Sequence, residues 1–293
     1  VSAPAHLRID SRDIALSHPG KLLFPCGITK RDLVAYYGRI APRMLPHCRD
    51  RALTMQRFPD GIGAGGFFQK HIPDHFPDWI ARADLPKQGG SVTHVVANDA
   101  ASLAYLASQA CITPHLALAR VGRPDHPDRL VIDLDPSDHD FAKVQAVASL
   151  IRAALDRRAV PSFVQTTGSR GLHILVPLDG SAPFDRVRRW ARDFAEEIAA
   201  HAPELATTEQ RKPNRGNRVF LDIGRNAYGQ TSVAPYALRA IDRAPVATPL
   251  RWDEALVSGM RPDRYRLDNI FRRLGQIEDP WADFFEAAGD YAS

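Results

Sequence analysis

Leu130-Val131-Ile132-Asp133-Leu134-Asp135-Pro136 is the stretch whose reading decides the fold. Its branched apolar residues predict a strand that Pro136 ends. Side chains alternate along a strand, so Asp133 and Asp135 share one face while Ile132 and Leu134 point into a core. Two carboxylates side by side repel each other unless a cation stands between them, and hard divalent ions prefer oxygen ligands. Taken alone, the pair is more simply a solvated strand end with Asp-Pro turn chemistry.

Downstream, Phe141, Val144, Ala148, Ile151 and Leu155 recur at helical spacing. Ser162-Phe163-Val164-Gln165-Thr166 predicts a second strand and His173-Ile174-Leu175-Val176-Pro177-Leu178 a third, with a turn between them. Phe184, Val187, Trp190, Ala191, Phe194 and Ile198 mark an amphipathic helix. Arg218-Val219-Phe220-Leu221-Asp222 predicts another strand, then a Gly-rich loop and a strand near Thr231-Ser232-Val233-Ala234. Upstream, the chain to about Pro25 reads as loops and short strands. Thr29-Lys30-Arg31-Asp32 has the form of a capping box with Asp for Glu, opening a helix through Leu33, Tyr36, Tyr37, Ile40 and Met44. The turn-rich Asp60-Gly61-Ile62-Gly63-Ala64-Gly65-Gly66 leads into Phe67-Phe68, and a helix from near Asn98 presents Leu103, Leu106 and Ala110 on one face. Strands joined by both hairpins and helices predict an α+β fold, with mixed or antiparallel sheets flanked by helices. The whole chain, 1–293, is expected to form a single module of two closely packed lobes. The N-terminal lobe would run to about residue 120, the catalytic lobe over about 121–250, and a C-terminal extension over about 251–293.

Composition narrows the class. The 44% hydrophobic and 25% charged content is that of an ordinary globular protein. No apolar run reaches the roughly 18 residues of a membrane span. The start, Val1-Ser2-Ala3-Pro4-Ala5-His6, has no apolar signal region and no initiator Met, as expected of a chain that is trimmed or is cut from a longer polypeptide. Cys26, Cys48 and Cys111 form no C-x-x-C pair, so neither a disulfide framework nor a thiolate zinc site is supported, and a reducing, cytoplasmic setting fits. Lys plus Arg exceed Asp plus Glu by only 38 to 34, which permits a polyanionic partner without requiring one.

Two further segments bear on chemistry. Thr167-Gly168-Ser169-Arg170-Gly171-Leu172-His173 is a turn of small residues with one cation and one imidazole, able to offer N–H groups, hydroxyls and charge to a phosphate. It is not a Walker A loop, which occurs nowhere in the chain. By itself it is equally a plain hairpin, and His173 a structural histidine. Asp222 ends an apolar strand and stands near Arg215, Arg218, Arg225 and Arg239 in the sequence. A carboxylate among arginines suits a metal–triphosphate site, and it equally suits surface ion pairing.

In order along the chain, Asp133-Leu134-Asp135-Pro136, Thr167-Gly168-Ser169-Arg170-Gly171-Leu172-His173 and Leu221-Asp222 resemble the three motifs of the archaeo-eukaryotic primase superfamily. The resemblance is strongest to the polymerase domain of bacterial ATP-dependent DNA ligase D. It extends through His18-Pro19-Gly20-Lys21-Leu22-Leu23-Phe24-Pro25, Ile28-Thr29-Lys30, Tyr36-Tyr37, Phe67-Phe68-Gln69-Lys70 and Ala234-Pro235-Tyr236-Ala237-Leu238-Arg239-Ala240.

That resemblance implies a primase-polymerase core in which Asp133, Asp135 and Asp222 bind two divalent ions, Mn2+ or Mg2+, for nucleotidyl transfer. By the same likeness, His115, Thr167, Ser169, Arg170, His173, Arg215, Arg225 and Arg239 surround the incoming nucleotide. Lys21 and Lys30 would grip the 5′-phosphate downstream of a gap, and Phe67 and Phe68 would meet template bases, one ring stacking while the other anchors the loop. From residues alone, Pro114-His115 equally reads as the end of the helix before it. Gln56 and Gln230 depart from positions that are basic in some relatives.

The implied function is template-directed primer extension with dNTPs or NTPs during gap filling in bacterial non-homologous end joining. The implied partners are gapped or overhanging DNA, a Ku-like end-binding protein, and ligase and nuclease domains, in the bacterial cytoplasm at the nucleoid. A de novo primase and a non-catalytic bridging module for DNA ends are the alternatives.

Overall fold

A computed structural model describes residues 5–292, so the first four residues of the N-terminal reading lie outside it. The strands in chain order are β1 (Ala5–Ile9), β2 (Arg12–Leu16), β3 (Ala52–Arg57), β4 (Phe67–Gln69), β5 (Ala81–Lys87), β6 (Gly90–Val96) and β7 (Cys111–Ala117). They continue as β8 (Arg129–Pro136), β9 (Phe163–Thr166), β10 (Leu172–Pro177), β11 (Ala206–Thr207), β12 (Val219–Asp222), β13 (Thr231–Val233) and β14 (Pro249–Leu250). The four longest helices are α1 (Lys30–Cys48), α2 (Ala100–Ser108), α3 (Phe141–Asp156) and α4 (Phe184–His201).

Two six-stranded sheets form the architecture. One runs β11-β12-β8-β10-β9-β14, antiparallel except where β11 meets β12; the other runs β13-β7-β3-β6-β5 with β4 added to β3. The α+β expectation therefore holds. β8 sits inside the first sheet, and its alternation has the predicted effect. Leu130, Ile132 and Leu134 are buried in a core with Val144, Ile151 and Val187 from α3 and α4, while the aspartates take the opposite face.

The capping box at α1 is present. Thr29 N–H donates to Asp32 Oδ2 at 2.8 Å and Asp32 N–H to Thr29 Oγ1 at 3.3 Å, so the shorter aspartate closes the box. α2 is shorter than its periodicity suggested. It ends at Ser108, and Ala110 turns the chain with φ 59° into β7 instead of extending the apolar face.

The lobes do not divide in simple sequence order. β13 pairs with β7, and residues 233–247 pack into the core that α1 and α2 share with the first hundred residues. Buried tyrosines on α1 tie this return in place. Tyr36 donates its hydroxyl to Tyr236 O at 2.7 Å, while the Tyr37 hydroxyl donates to Ile112 O and accepts from Leu238 N–H. No local pattern specifies pairings so distant in sequence.

The C-terminal segment then spans both lobes. Trp281 Nε1–H donates to Val164 O of β9 at 3.2 Å, and its ring lies 5.4 Å from that of His47 on α1. Phe284 joins them with Val131, Leu175 and Leu118 in a small core between the lobes. Beneath it, Asp128 accepts from Arg51 and from Arg120 Nε at 3.0 Å, while Arg129 Nε lies 3.5 Å away. Burial, with Arg51 adding repulsion, lowers Arg129 to about 9, so it remains protonated at neutral pH.

Candidate active site

The pairing register assembles the aspartates. Asp222 of β12 lies directly opposite Asp133 of β8, and His173 of β10 lies opposite Asp133 on the other side. Gln165 of β9 follows opposite His173, so one row across the sheet reads Asp222, Asp133, His173, Gln165. Asp135 lies two residues along β8 on the same face. Like charges opposite each other in a ladder are destabilising, so this row stores repulsion that positive charge must relieve.

The relief comes from nearby cations. Asp133 Oδ2 is 3.4 Å from His173 Nε2. Burial would raise the Asp133 pKa, but His173, Arg225 and Arg239 outweigh it and hold the carboxyl below its ordinary value. His173 Nδ1 faces the Gln165 amide nitrogen at 3.2 Å, which leaves Nε2 as the ring nitrogen turned to Asp133. Asp135 takes Arg170 at 3.0 Å and Arg215 at 3.5 Å. Asp222 Oδ1 accepts from Gly224 N–H at 2.7 Å.

These groups floor a cavity of about 240 Å³ between the two sheets. Asp133, Asp135, Asp222, Thr167, Ser169, Arg170 and His173 come from the β8 sheet and its turn. Arg225 follows β12, and His115, Arg239 and the strand Thr231–Val233 come from the opposite lobe. Every proposed nucleotide-side residue except Arg215 therefore lines one cavity. Arg215 instead lies behind the carboxylates, its guanidinium 3.7 Å above the Phe220 ring and bonded to the Glu209 and Gln210 carbonyls. The β13 residues went unread as site residues, since nothing local separates them from an ordinary strand.

His115 needs a correction. It does not end a helix; it lies within β7, paired with Thr54 and Val233. Burial, with Arg239, Arg225 and His173 adding repulsion, lowers it to about 3, so the ring is neutral at physiological pH. Its Nε2 is buried with no hydrogen-bond partner among the described residues, an open position on the cavity wall. The Thr167 hydroxyl is already engaged. It accepts from Ser169 and Gly171 N–H and donates to Gly171 O, which closes the β9–β10 turn. Arg239 steadies that turn by donating to Thr167 O at 2.7 Å.

Gly171 is required for the close approach of β10 to β8. A Cβ there would stand 1.9 Å from Leu134 O, between the two aspartates. Gly171→Ala is expected to cost about 1–3 kcal/mol, the range for forced overpacking. Thermal melting should show the loss, and a wild-type melting temperature would remove this account of the strand contact.

The remaining candidates lie outside the cavity. Lys30 N–H donates to Lys21 O at 2.9 Å, which brings the two lysines together. Lys21 Nζ pairs with Asp60 at 2.6 Å. Lys30 is lowered by burial first, then by Lys21 and Arg57. Arg57 is thus a third cation in this cluster, missed because it sits at the end of β3 without a motif; it lies 5.8 Å from the Phe67 ring. Neither ring of the aromatic pair anchors the loop. Phe67 is 47% and Phe68 61% exposed, because β4 is a short edge strand. Phe68 stands edge-on to His115 at 5.3 Å, a link from the exposed aromatic pair to the cavity wall. Gln230 lines a neighbouring cavity rather than the one over the aspartates.

The donor chemistry fits divalent metal, with oxygens from Asp133, Asp135 and Asp222 on one face. As arranged here, with arginine and histidine partners, no group of three or more acidic, histidine or cysteine ligands among the described residues is set to hold an ion. Holding one would draw on the Asp135 and Asp133 oxygens that here face Arg170, Arg215 and His173.

Comparison with known proteins places this geometry in a family. Residues 29–281 match the family model described as LigD, primase-polymerase domain. The chain belongs to that family. Among other LigD primase-polymerase relatives, it is 32% identical over 270 residues to the multifunctional non-homologous end joining protein LigD of Mycolicibacterium smegmatis, covering 91% of this chain and 35% of the relative. It is 31% identical over 264 residues to the bifunctional non-homologous end joining protein LigD of Bacillus subtilis, covering 89% of this chain and 42% of that one. The chain thus spans well under half the length of these relatives. In structure it is similar to the polymerase domain from Mycobacterium tuberculosis ligase D in complex with DNA, with a TM-score of 0.88 and 30% identity over 94% of this chain and 99% of that one. This LigD primase-polymerase chain has no helix, among the described residues, long and apolar enough to cross a membrane.

Proposed function

We propose that this chain is a template-directed nucleotidyltransferase that extends a primer 3′ end with dNTPs or NTPs, filling gaps at broken DNA ends in bacterial non-homologous end joining. The observation that carries this reading is the register of Asp222 opposite Asp133, with Asp135 on the same face, beneath a cationic cavity. Asp133, Asp135 and Asp222 would hold two divalent ions, Mn2+ or Mg2+, which when bound supply charge neutralisation and an activated 3′-hydroxyl. Arg170, Arg225 and Arg239 suit the triphosphate oxygens. Neutral His115 offers its open Nε2 to the nucleotide or primer end, and Ser169 and the Thr167 turn shape the wall. The Lys21, Lys30 and Arg57 cluster suits a terminal 5′-phosphate on the downstream strand, with Phe67 and Phe68 beside it for template bases. Ligase and nuclease domains, and a Ku-like end-binding protein, complete the proposed setting.

Extension of a labelled primer with Mn2+ or Mg2+, on a gapped duplex with and without the 5′-phosphate, tests this. Extension should be faster with the phosphate, and Lys21→Ala with Lys30→Ala should remove most of that preference, roughly tenfold for a charge-assisted contact. Absence of extension with either metal sinks the catalytic reading. Extension indifferent to the phosphate sinks the lysine assignment. Products on unprimed single strands would favour the primase alternative. Supplying NTPs and dNTPs separately reads the sugar tolerance.

A further inference from the structure

Behind Asp222 lies a second groove of about 590 Å³, between α4 and β12. Arg188 and Arg192 of α4 line one wall, and Arg215, Phe220 and Asp222 line the other. Asp222 is thus the aspartate shared by this groove and the cavity over the carboxylate row.

Two observations single out the arginines. They stand at i and i+4, neighbours on one helix face about 6 Å apart along its axis, an arrangement of like charges that destabilises a helix. Both are exposed, and neither forms an ion pair among the described residues, although Glu196 lines the same groove one turn beyond Arg192. The helix does pair charge elsewhere: Glu197 takes Arg158 at 2.6 Å. Arg188 and Arg192 are therefore left without an ion pair among the described residues, in a groove that Glu196 and Asp222 also line. Past Thr208 and Gln210 it opens toward exposed Arg211, which continues the basic track outward.

The sheet order gives the groove a direction. Across the row, β12 with Asp222 is on one side of β8, and β10 and β9, with the Arg170 turn, are on the other. In an in-line displacement the attacking oxygen and the leaving pyrophosphate lie on opposite sides of the reacting phosphorus. With the triphosphate tail held toward Arg170 and Arg239, and Arg225 beside Asp133 nearer the reacting phosphorus, the attacking 3′-hydroxyl would come from the Asp222 side. We propose that this groove seats the phosphodiester backbone of the primer strand, with Arg188 and Arg192 as positioning residues for successive phosphates. This inference rests on the polymerase reading for the identity of the strand.

The test is fluorescence anisotropy of a labelled primer–template duplex with the whole chain, without nucleotide, across a salt series. Binding is read without turnover, so a failure of the groove and a failure of catalysis are seen separately. Arg188→Gln with Arg192→Gln should weaken duplex binding about tenfold and flatten the log K against log salt slope by roughly 2, the loss of two phosphate contacts. Arg188→Lys with Arg192→Lys should recover most of the slope, which a merely structural role does not predict. In extension assays the defect should fall on the KM for primer–template and not on the KM for nucleotide. Unchanged duplex affinity and slope overturn the proposal. So does an equal loss with template strand alone, which assigns the groove to the template, or a change confined to pyrophosphate inhibition, which makes it a product exit.

Discussion

Asp133→Asn is expected to lower nucleotide incorporation by about 10³-fold or more while leaving the fold intact. Asp133 is the centre of the carboxylate row, with Asp222 opposite it on β12 and His173 opposite it on β10. A metal-held phosphoryl centre is worth several kcal/mol of transition-state stabilisation, and each 1.36 kcal/mol is tenfold in rate. Asparagine keeps the shape and an oxygen facing His173 Nε2, yet removes the charge. It also leaves His173, Arg225 and Arg239, which hold this carboxyl below its ordinary value, without that charge. Relief from Asp222 offsets this only partly, so the melting temperature should fall modestly. Labelled-primer extension beside thermal melting separates the two effects. Incorporation within tenfold of wild type would falsify the metal-ligand assignment of Asp133.

Asp128→Asn should have the largest effect on stability, far from the chemistry. Its carboxylate is the shared partner of Arg51, Arg120 and Arg129, and Arg51 is 0% exposed. Breaking a buried pair by removing one partner costs about 3–5 kcal/mol, because the other charge is left uncompensated. A melting temperature lower by on the order of 10 °C follows for a chain of this size. Burial would raise the Asp128 pKa, but Arg51, Arg129 and Arg120 together hold it below the ordinary value. A carboxyl lowered in the folded state contributes stability that is fully present above its unfolded pKa of about 3.9. The contribution is lost as pH falls through the lower folded value. The gap between wild type and variant should therefore be constant from neutral pH to about 5, and close in stronger acid. A gap that persists unchanged to pH 2 would rule out this ion-pair origin.

What the sequence made legible was local. The strand Leu130–Asp135, the Thr29 cap and the 3.6-residue pattern of α3 and α4 each depend on neighbours within a turn or a pleat, and each is present in the structure. The carboxylate face was legible for the same reason, as alternation alone puts Asp133 and Asp135 together. That Asp222 stands opposite Asp133 is a matter of register between strands some ninety residues apart, which only the family motifs suggested. The family likeness put His115 beside the other nucleotide-side residues, where it lines the cavity, whereas the local alternative of a helix end at Pro114 fails. The better signal was Ile112-Thr113, branched residues that favour a strand. Arg57 and Asp128 were invisible because their partners arrive from Lys30 and Phe67 in one case, and from Arg51, Arg120 and Arg129 in the other. Thr167 carries the opposite lesson: a hydroxyl in a motif is engaged by its own turn.

The late return of β13 to the sheet of β7 limits how this module can be recombined. His115 owes its place to Val233, which the chain supplies only after β8 through β12 have been laid down. Neither half can therefore be lifted out as a contiguous cassette. A crossover between relatives near residue 120 or 230 would separate hydrogen-bonded strands into different parentage, and the mismatch would fall at the mouth of the cleft. Exchange is confined to the module as a whole, or to paired segments inherited together.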